Sequence, residues 1–461
     1  MIAKVDGLLV DSHLESMARD FALEGFEHAD ARQQSIRVNF ALKALRVEVL
    51  RMLLGNVSFR ELSRRIGASD LLADFCGVRQ IDGIRGISKS TLERASKFFG
   101  ADQLRWMQQV LTEMCGETHR AAQLGLGAVV DTQVCLVDTT CLEANIHYPN
   151  DWVLLRDVTR TLLKATKLIR AAGLLHRMPG EPEEFAREMN RLCIEMTHSR
   201  RHPNARRKRK SILRSMKKLL GRIGAHARRH ADLLSRQYEQ TDYSRAEAEQ
   251  IINRIERMLE QLPTVIWQAH ERIIGGRLVP SASKILSVYE PEIQVVVRGK
   301  AGHEVEFGNT LLVAESLQGL ILDWDLHRQK APPEWRQLQD SLERQNDFDL
   351  CKPIEAACAD RGFSSKRGSS RLSRDEVYNA VCPRDPDQMR DRMNEPRFRA
   401  LQRRRGSTEA RIAILKQRQA TRLRCRGFAH RYLAVAWGML GHNLWLIARM
   451  LAQQDQDALA A

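Results

Sequence analysis

The chain has 461 residues, a formal net charge of +16 and a pI of about 9.7. One hydrophobic core rarely extends over this length, so a single-core protein is excluded and several domains are expected. The excess of cations favours a polyanionic partner, most simply nucleic acid, over a ribosome or membrane surface. The nine cysteines contain no CxxC pair, which argues against a disulfide framework and a zinc site.

Residues 1–124 predict a helical domain. The sequence up to about Ser35 is polar and weakly patterned, as in an arm or an early helix. Apolar residues then recur at helical spacing, and capping-box patterns begin at Ser58 and at Ser90, the latter opening a helix that extends to Phe99. Short helices joined by tight turns are typical of a helix-turn-helix, with an ordinary small bundle as the alternative. In a helix-turn-helix the side chains facing DNA would be Lys89, Ser90, Thr91, Arg94 and Lys97.

Residues 125–151 change to a strand-like composition. The run from Gly127 to Ile146 predicts two adjoining strands, and its apolar core VCLVD ends at Asp138. Asp131, in the same run, is the alternative candidate for a metal ligand. His147 follows and is interpreted either as a substrate contact or as a structural hydrogen-bonding group.

Residues 152–275 are helical in period and predict an antiparallel helical insertion. Between Arg200 and Arg229 there is no Asp or Glu. A charge run is often only a solvated face, but a long stretch without acidic residues is better explained by phosphate contact. The densest cluster consists of Arg206, Arg207, Lys208, Arg209 and Lys210.

Residues 276–430 return to strands, which we expect at Lys284–Tyr289, Ile293–Val297, Val305–Ser316 and Leu320–Leu326. A helix from Pro332 to Leu342, a strand ending at Asp360, a short strand at Val377–Cys382 and a helix at Arg397–Arg418 follow. Asp323 and Asp325 are further candidate carboxylates. Residues 431–461 predict a helix buried on the core, because its apolar run contains His442, Asn443 and Arg449, which are costly in lipid.

The helix near the C-terminal end carries a charged stripe. Arg405, Glu409 and Lys416 are four and seven residues apart, so about 100° per residue brings them onto one helical face. A solvated face with helix-spaced charge pairs is the simple interpretation. Together with Asp138 and Asp360, however, Glu409 would complete a set of three carboxylates able to hold two divalent cations.

These residues resemble a known family. The spacing of Arg405, Glu409 and Lys416 resembles the Tyr–two–Arg–three–Glu–six–Lys signature of bacterial insertion-sequence transposases with a DDE active site. Gln402 stands at the Tyr position, which is a departure from the pattern. Asp138-Thr139-Thr140 and Asp360-Arg361-Gly362-Phe363 resemble the two aspartate motifs, and the ISNCY-like group or a close relative is the suggested subgroup.

The resemblance implies a multidomain α+β protein with an N-terminal helix-turn-helix domain. Its RNase H-like core would be interrupted by the long helical insertion. Asp138, Asp360 and Glu409 would bind two Mg²⁺ ions, with Mn²⁺ as a substitute, while Arg405 and Lys416 hold DNA phosphates. The expected partners are double-stranded DNA, as terminal inverted repeats and target, and a second copy in a synaptic dimer.

The resemblance also implies a bacterial cytoplasmic protein associated with the nucleoid, and no membrane is expected as a partner. The start of the chain shows no signal-peptide pattern, which agrees with that expectation. Two alternative functions stay open. One is a domesticated transposase that has lost catalysis and regulates DNA, and the other is a metal-dependent nuclease without strand transfer.

Overall fold

The computed structural model describes residues 1–78, 86–300, 303–348, 352–418 and 425–460. Over these residues the chain is an α+β protein with many helices and one mixed sheet of six strands, which confirms the expected fold class. Its contacts divide it into two units. The first contains residues 1–145 and 308–461, and the second contains residues 146–307.

The first unit begins with eight helices: α1 Ile2–Asp11, α2 Leu14–Leu23, α3 Ala31–Leu53, α4 Phe59–Gly67, α5 Asp70–Phe75, α6 Lys89–Ala95, α7 Ala101–Gly116 and α8 Thr118–Gln123. The interpretation of the first 35 residues as weakly patterned is wrong, because α1 buries Val5, Leu8 and Leu9. Ser58 caps α4 as expected, accepting a hydrogen bond from the N–H of Glu61. The cap of α6 is Ser88 rather than Ser90.

The sheet has the spatial order β2-β3-β1-β5-β6, and β4 also pairs with β3. The strands are β1 Val134–Glu143, β2 Gln294–Lys300, β3 His303–Glu315, β4 Ile321–Leu326, β5 Ala356–Ala359 and β6 Tyr378–Asn379. β1 is antiparallel to β3 and parallel to β5.

Two strand predictions are wrong. Residues 127–146 hold one strand rather than two, and Lys284–Tyr289 is not a strand. In the latter segment the Gln268 amide bonds both the N–H and the carbonyl of Ile285, at 3.0 and 3.1 Å, so a side chain takes the place of a strand partner.

Helices cover both faces of the sheet. On one face, Cys135 and Val137 of β1 pack in a cluster with residues of α13 Glu334–Asn346 and α14 Lys366–Arg374. On the other face, Val134 and Leu136 pack with Phe398 and Leu401 of α16 Pro396–Arg418. The small helix α15 Pro386–Met393 precedes α16.

The last helix, α17 Phe428–Ala460, packs against α1, α3, α7 and β4. Its buried Asn443 accepts a hydrogen bond from the N–H of Ile321 at 2.8 Å and donates to the carbonyl of the same residue at 2.9 Å. The polar residues that are costly in lipid are therefore satisfied by the backbone of β4, and the predicted buried helix is confirmed. Its packing surface includes the N-terminal helices as well as the sheet.

The second unit is mainly helical, with α9 Asp151–Ala171, α10 Pro182–His198, α11 Ala205–Gln237 and α12 Arg245–His270. These helices share one apolar core, as their 3.6-residue patterning predicts. Asp151, at the start of α9, is buried and pairs with Arg272 at 3.0 Å. A helical unit therefore lies in the chain between β1 and the main part of β3.

Candidate active site

Asp138 and Asp360 lie at equivalent positions of neighbouring strands. β1 and β5 run parallel in a register that pairs Leu136 with Cys358 and Val137 with Ala359, so the next step aligns Asp138 with Asp360. Neighbouring strands are about 4.8 Å apart. Two carboxylates separated by more than 220 residues in sequence therefore lie side by side at the carboxyl end of a parallel strand pair.

Both aspartates belong to the face covered by α16. Side chains alternate along a strand, and Val134 and Leu136 face α16, so Asp138 continues that series. Ala356 and Cys358 form the same series leading to Asp360. Oδ1 of Asp138 accepts from the N–H of Thr139, and Oδ1 of Asp360 accepts from the N–H of Gly362. Each carboxylate is thus oriented by its own following turn.

Gln402, the departure from the expected Tyr, fixes α16 to the strand ends. Its amide donates to the carbonyl of Ala359 at 3.2 Å and to that of Ala380 at 2.6 Å. Its Oε1 accepts from Nε of Arg405 at 3.1 Å. Burial raises the pKa of the Cys358 thiol to about 12, with the positive charge of Arg405 acting in the opposite direction. Arg405 therefore lies over the end of β5, beside the residue that precedes Asp360 by two.

A buried glutamate that the sequence reasoning did not single out attaches α16 to β3. Glu315 is fully buried and accepts from Oγ1 of Thr408 at 2.7 Å and from Nε of Arg411 at 3.0 Å. Arg404 forms an ion pair with the same carboxylate at 3.7 Å. These contacts enclose the helical turn that carries Glu409. The signal was an acidic residue ending an apolar strand, which alone does not identify its partners.

Glu409 itself is exposed on α16, and Lys416 is half-buried on the same helix. Across the described part of the chain, no three His, Cys, Asp or Glu side chains converge as ligands of one metal ion. The donors at this edge are carboxylate oxygens, which suit Mg²⁺. The structure brings Asp138 and Asp360 together on the face of α16, and it does not bring Glu409 into one ligand group with them.

Glu334 is a further carboxylate near the two aspartates. Thr139 Oγ1 donates to its Oε1 at 3.0 Å. A Cβ added to Gly362 would lie 1.9 Å from Oε2 of Glu334 and 3.1 Å from Oδ1 of Asp360. Only glycine fits between these two carboxyl groups. Sequence periodicity gave no sign of this residue, because its position depends on how α13 packs against the turn after β5.

The alternative aspartates have structural partners. Asp323 is buried, with Arg105 at 2.9 Å, Arg344 at 2.7 Å and Ser341 Oγ at 2.6 Å. Burial by itself would lower the pKa of the Arg344 guanidinium, but the charge and hydrogen bonds of Asp323 raise it. Asp325 lies 3.9 Å from Arg344, and Asp131 accepts from the N–H of Gln133 in a turn.

The predicted DNA-reading residues lie at the start of α6 and just after it, where Lys89, Ser90, Arg94 and Lys97 are exposed and Thr91 is half-buried. Arg94 donates to Thr91 Oγ1 at 3.4 Å, and Lys97 pairs with Glu93 at 3.6 Å. Lys89 and Lys97 line a cleft against α4 and α17. The five residues are therefore divided between the cleft and the outer surface of α6.

In the second unit the basic cluster opens α11. Arg206, Arg207 and Lys208 are exposed, while Arg209 and Lys210 are half-buried. The guanidinium of Arg209 lies 5.6 Å from the centre of the Trp152 ring. His147 is exposed, and its charge acts to lower the pKa of Asp157, which burial raises.

Comparison of the chain with known protein families, curated proteins and solved structures found no match. No helix among the described residues is both long enough and apolar enough to cross a bilayer.

Proposed function

We propose that the chain is a DDE transposase with an RNase H-like core. The observation that carries this proposal is the alignment of Asp138 with Asp360 at the ends of parallel neighbours, under a helix that bears Arg405 and Glu409. Neighbouring strands that offer two acidic groups, with a third on a helix across the same face, suit phosphoryl transfer on DNA.

Asp138 and Asp360 would hold Mg²⁺, and Glu409 would complete the ligand set when α16 moves closer or when DNA binds. When bound, the metal ions supply an acidic environment for the attacking hydroxyl and charge compensation for the leaving oxygen. Arg405 and Lys416 bind phosphates of the DNA end. Gln402 holds Arg405 over the carboxyl end of β5, so the phosphate lies beside the aspartates.

The remaining parts of the proposal concern DNA handling. α4 to α6 act as a helix-turn-helix that recognises the terminal inverted repeats, and the basic start of α11 binds the DNA backbone. Two ends must be processed together, so a homodimer forms the synaptic complex on DNA. The protein acts in the bacterial cytoplasm on nucleoid DNA.

The exposed position of Glu409 favours one alternative, a DNA-binding regulator derived from a transposase that no longer cleaves. A single assay separates the candidates. DNA containing the sequences that flank the coding region is incubated with the protein and Mg²⁺, with chelator as control. A transposase nicks the ends and joins them to target DNA, a nuclease nicks without joining, and a regulator binds without cleavage.

A further inference from the structure

A basic cleft of about 560 Å³ lies between the N-terminal helices and α17 in the first unit. It is lined by the start of α4, by one side of α6 and by the first turns of α17. Its volume is within the range of small-ligand sites, about 300–1,000 Å³. None of the residues proposed for metal binding or catalysis contributes to it, so it is a separate candidate site.

The charge of the cleft favours an anion. Cationic side chains come from Arg51, Arg60, Lys89, Lys97 and Arg426, and Glu93 is the single acidic residue among the described residues that line it. Two of the cations already have acidic partners. Arg51 pairs with the buried Glu48 at 2.8 Å, and Lys97 pairs with Glu93 at 3.6 Å. Arg60 and Lys89 are exposed, and the lining holds no second carboxylate to neutralise them.

The opposite wall of the cleft is apolar. Val57, Phe59, Leu433 and Ala434 are half-buried and contribute to the lining, and Trp437 lies beneath them. The guanidinium of Arg51 lies 4.8 Å from the centre of the Phe59 ring, so it presents both charge and a flat surface. A plain inorganic anion would leave this apolar wall in water. A ligand that joins an anionic group to a flat ring would use both walls.

We propose that this cleft binds one nucleotide unit, with its phosphate at Arg60 and Lys89 and its base against the Phe59–Leu433 wall. The choice of nucleic acid rests on the proposed function, since a DNA strand lying along α6 would bring a terminal or unpaired nucleotide to the cleft. A free nucleotide has the same chemistry, and the experiment separates the two sources.

Cys425 at the edge of the cleft provides a direct readout. It is half-buried, as is Cys382, whereas Cys76, Cys115, Cys135, Cys141, Cys193 and Cys358 are buried. Full-length protein is pulsed with a maleimide, and the modified peptides are quantified by mass spectrometry, with Cys382 as internal reference. The probes are a phosphorylated single-stranded tetranucleotide, thymidine monophosphate and inorganic phosphate.

The tetranucleotide is expected to protect Cys425 and leave Cys382 unchanged. Arg60→Ala with Lys89→Ala should raise the protecting concentration about tenfold or more, because two charge-assisted hydrogen bonds are lost. Arg64→Ala is the matched control, since Arg64 is an exposed arginine of the same helix outside the cleft. Its protection curve should match the wild type.

Stronger protection by thymidine monophosphate than by the tetranucleotide would assign the site to free nucleotides and overturn its role on DNA. Equal protection by inorganic phosphate, or unchanged protection in the double variant, would overturn the nucleotide site itself. Cleavage of flanking DNA is measured in parallel on the same samples. Cleavage without protection removes this inference alone, and protection without cleavage removes the proposed transposase activity alone.

Discussion

Replacing Glu315 by alanine should destabilise the first unit, because the carboxylate is fully buried and has three partners. Thr408 and Arg411 donate to it at 2.7 and 3.0 Å, and Arg404 pairs with it. The side chains of Arg404 and Arg411 are themselves only 22% and 18% exposed. Glu315→Ala would leave both charges without this partner in a poorly solvated place, so we expect a loss of about 3–5 kcal/mol.

The loss would be measured by urea unfolding of the full chain, with hydrogen exchange of residues 402–416 reporting on α16 itself. Glu315→Gln keeps the shape and one hydrogen bond, so its loss should be about 1.5–3 kcal/mol. Glu409→Ala, on the same helix but exposed, should change stability by less than about 0.5 kcal/mol. A Glu315→Ala protein as stable as Glu409→Ala, with unchanged exchange in α16, would refute the attachment of α16 through Glu315.

Three other predictions concern groups outside the proposed catalytic set. Asp323→Asn should cost about 3–5 kcal/mol in urea unfolding, because two arginines lose a buried partner, and a loss below about 1 kcal/mol would contradict its structural role. Neutralising exposed Arg206, Arg207 and Lys208 should lower affinity for specific and scrambled DNA alike and reduce the salt slope by about 0.9 per contact; parallel slopes would exclude phosphate contact. Burial lowers the pKa of His230, so the folded state resists protonation and stability should fall as the pH drops below about 6.5; thermal midpoints at pH 7.5 and 5.5 should converge in His230→Asn, and an unchanged difference would contradict this.

Local patterns predicted several elements well. The helix expected at Arg397–Arg418 is α16, Pro396–Arg418, and the VCLVD run starts β1 at Val134. The strand expected to end at Asp360 is β5. These segments have an unmixed period and clear ends, so sequence and structure agree closely. Their parallel pairing, which aligns the aspartates, depends on strand order and was inferred only through the family resemblance.

Other features depend on contacts that periodicity does not contain. Lys284–Tyr289 has the composition of a strand, but the side chain of Gln268 meets its backbone. Ser88 and Ser90 both fit a cap, and the structure selects the one whose oxygen meets the N–H of Thr91. Glu315 becomes important only because α16 places Thr408 and Arg411 against it. Each case involves residues that are close in space and ambiguous or distant in sequence.

The central claim is that Asp138 and Asp360 act together on DNA. The most direct measurement is the rate of Mg²⁺-dependent cleavage of flanking-sequence DNA by Asp138→Asn and Asp360→Asn, with end binding measured by gel shift. Each substitution removes a metal ligand with little change in shape, so cleavage should fall about 1,000-fold while binding stays within about twofold. Asp131→Asn is the control and should cleave normally, because that carboxylate serves a turn. Wild-type cleavage by either strand-end variant would contradict the account.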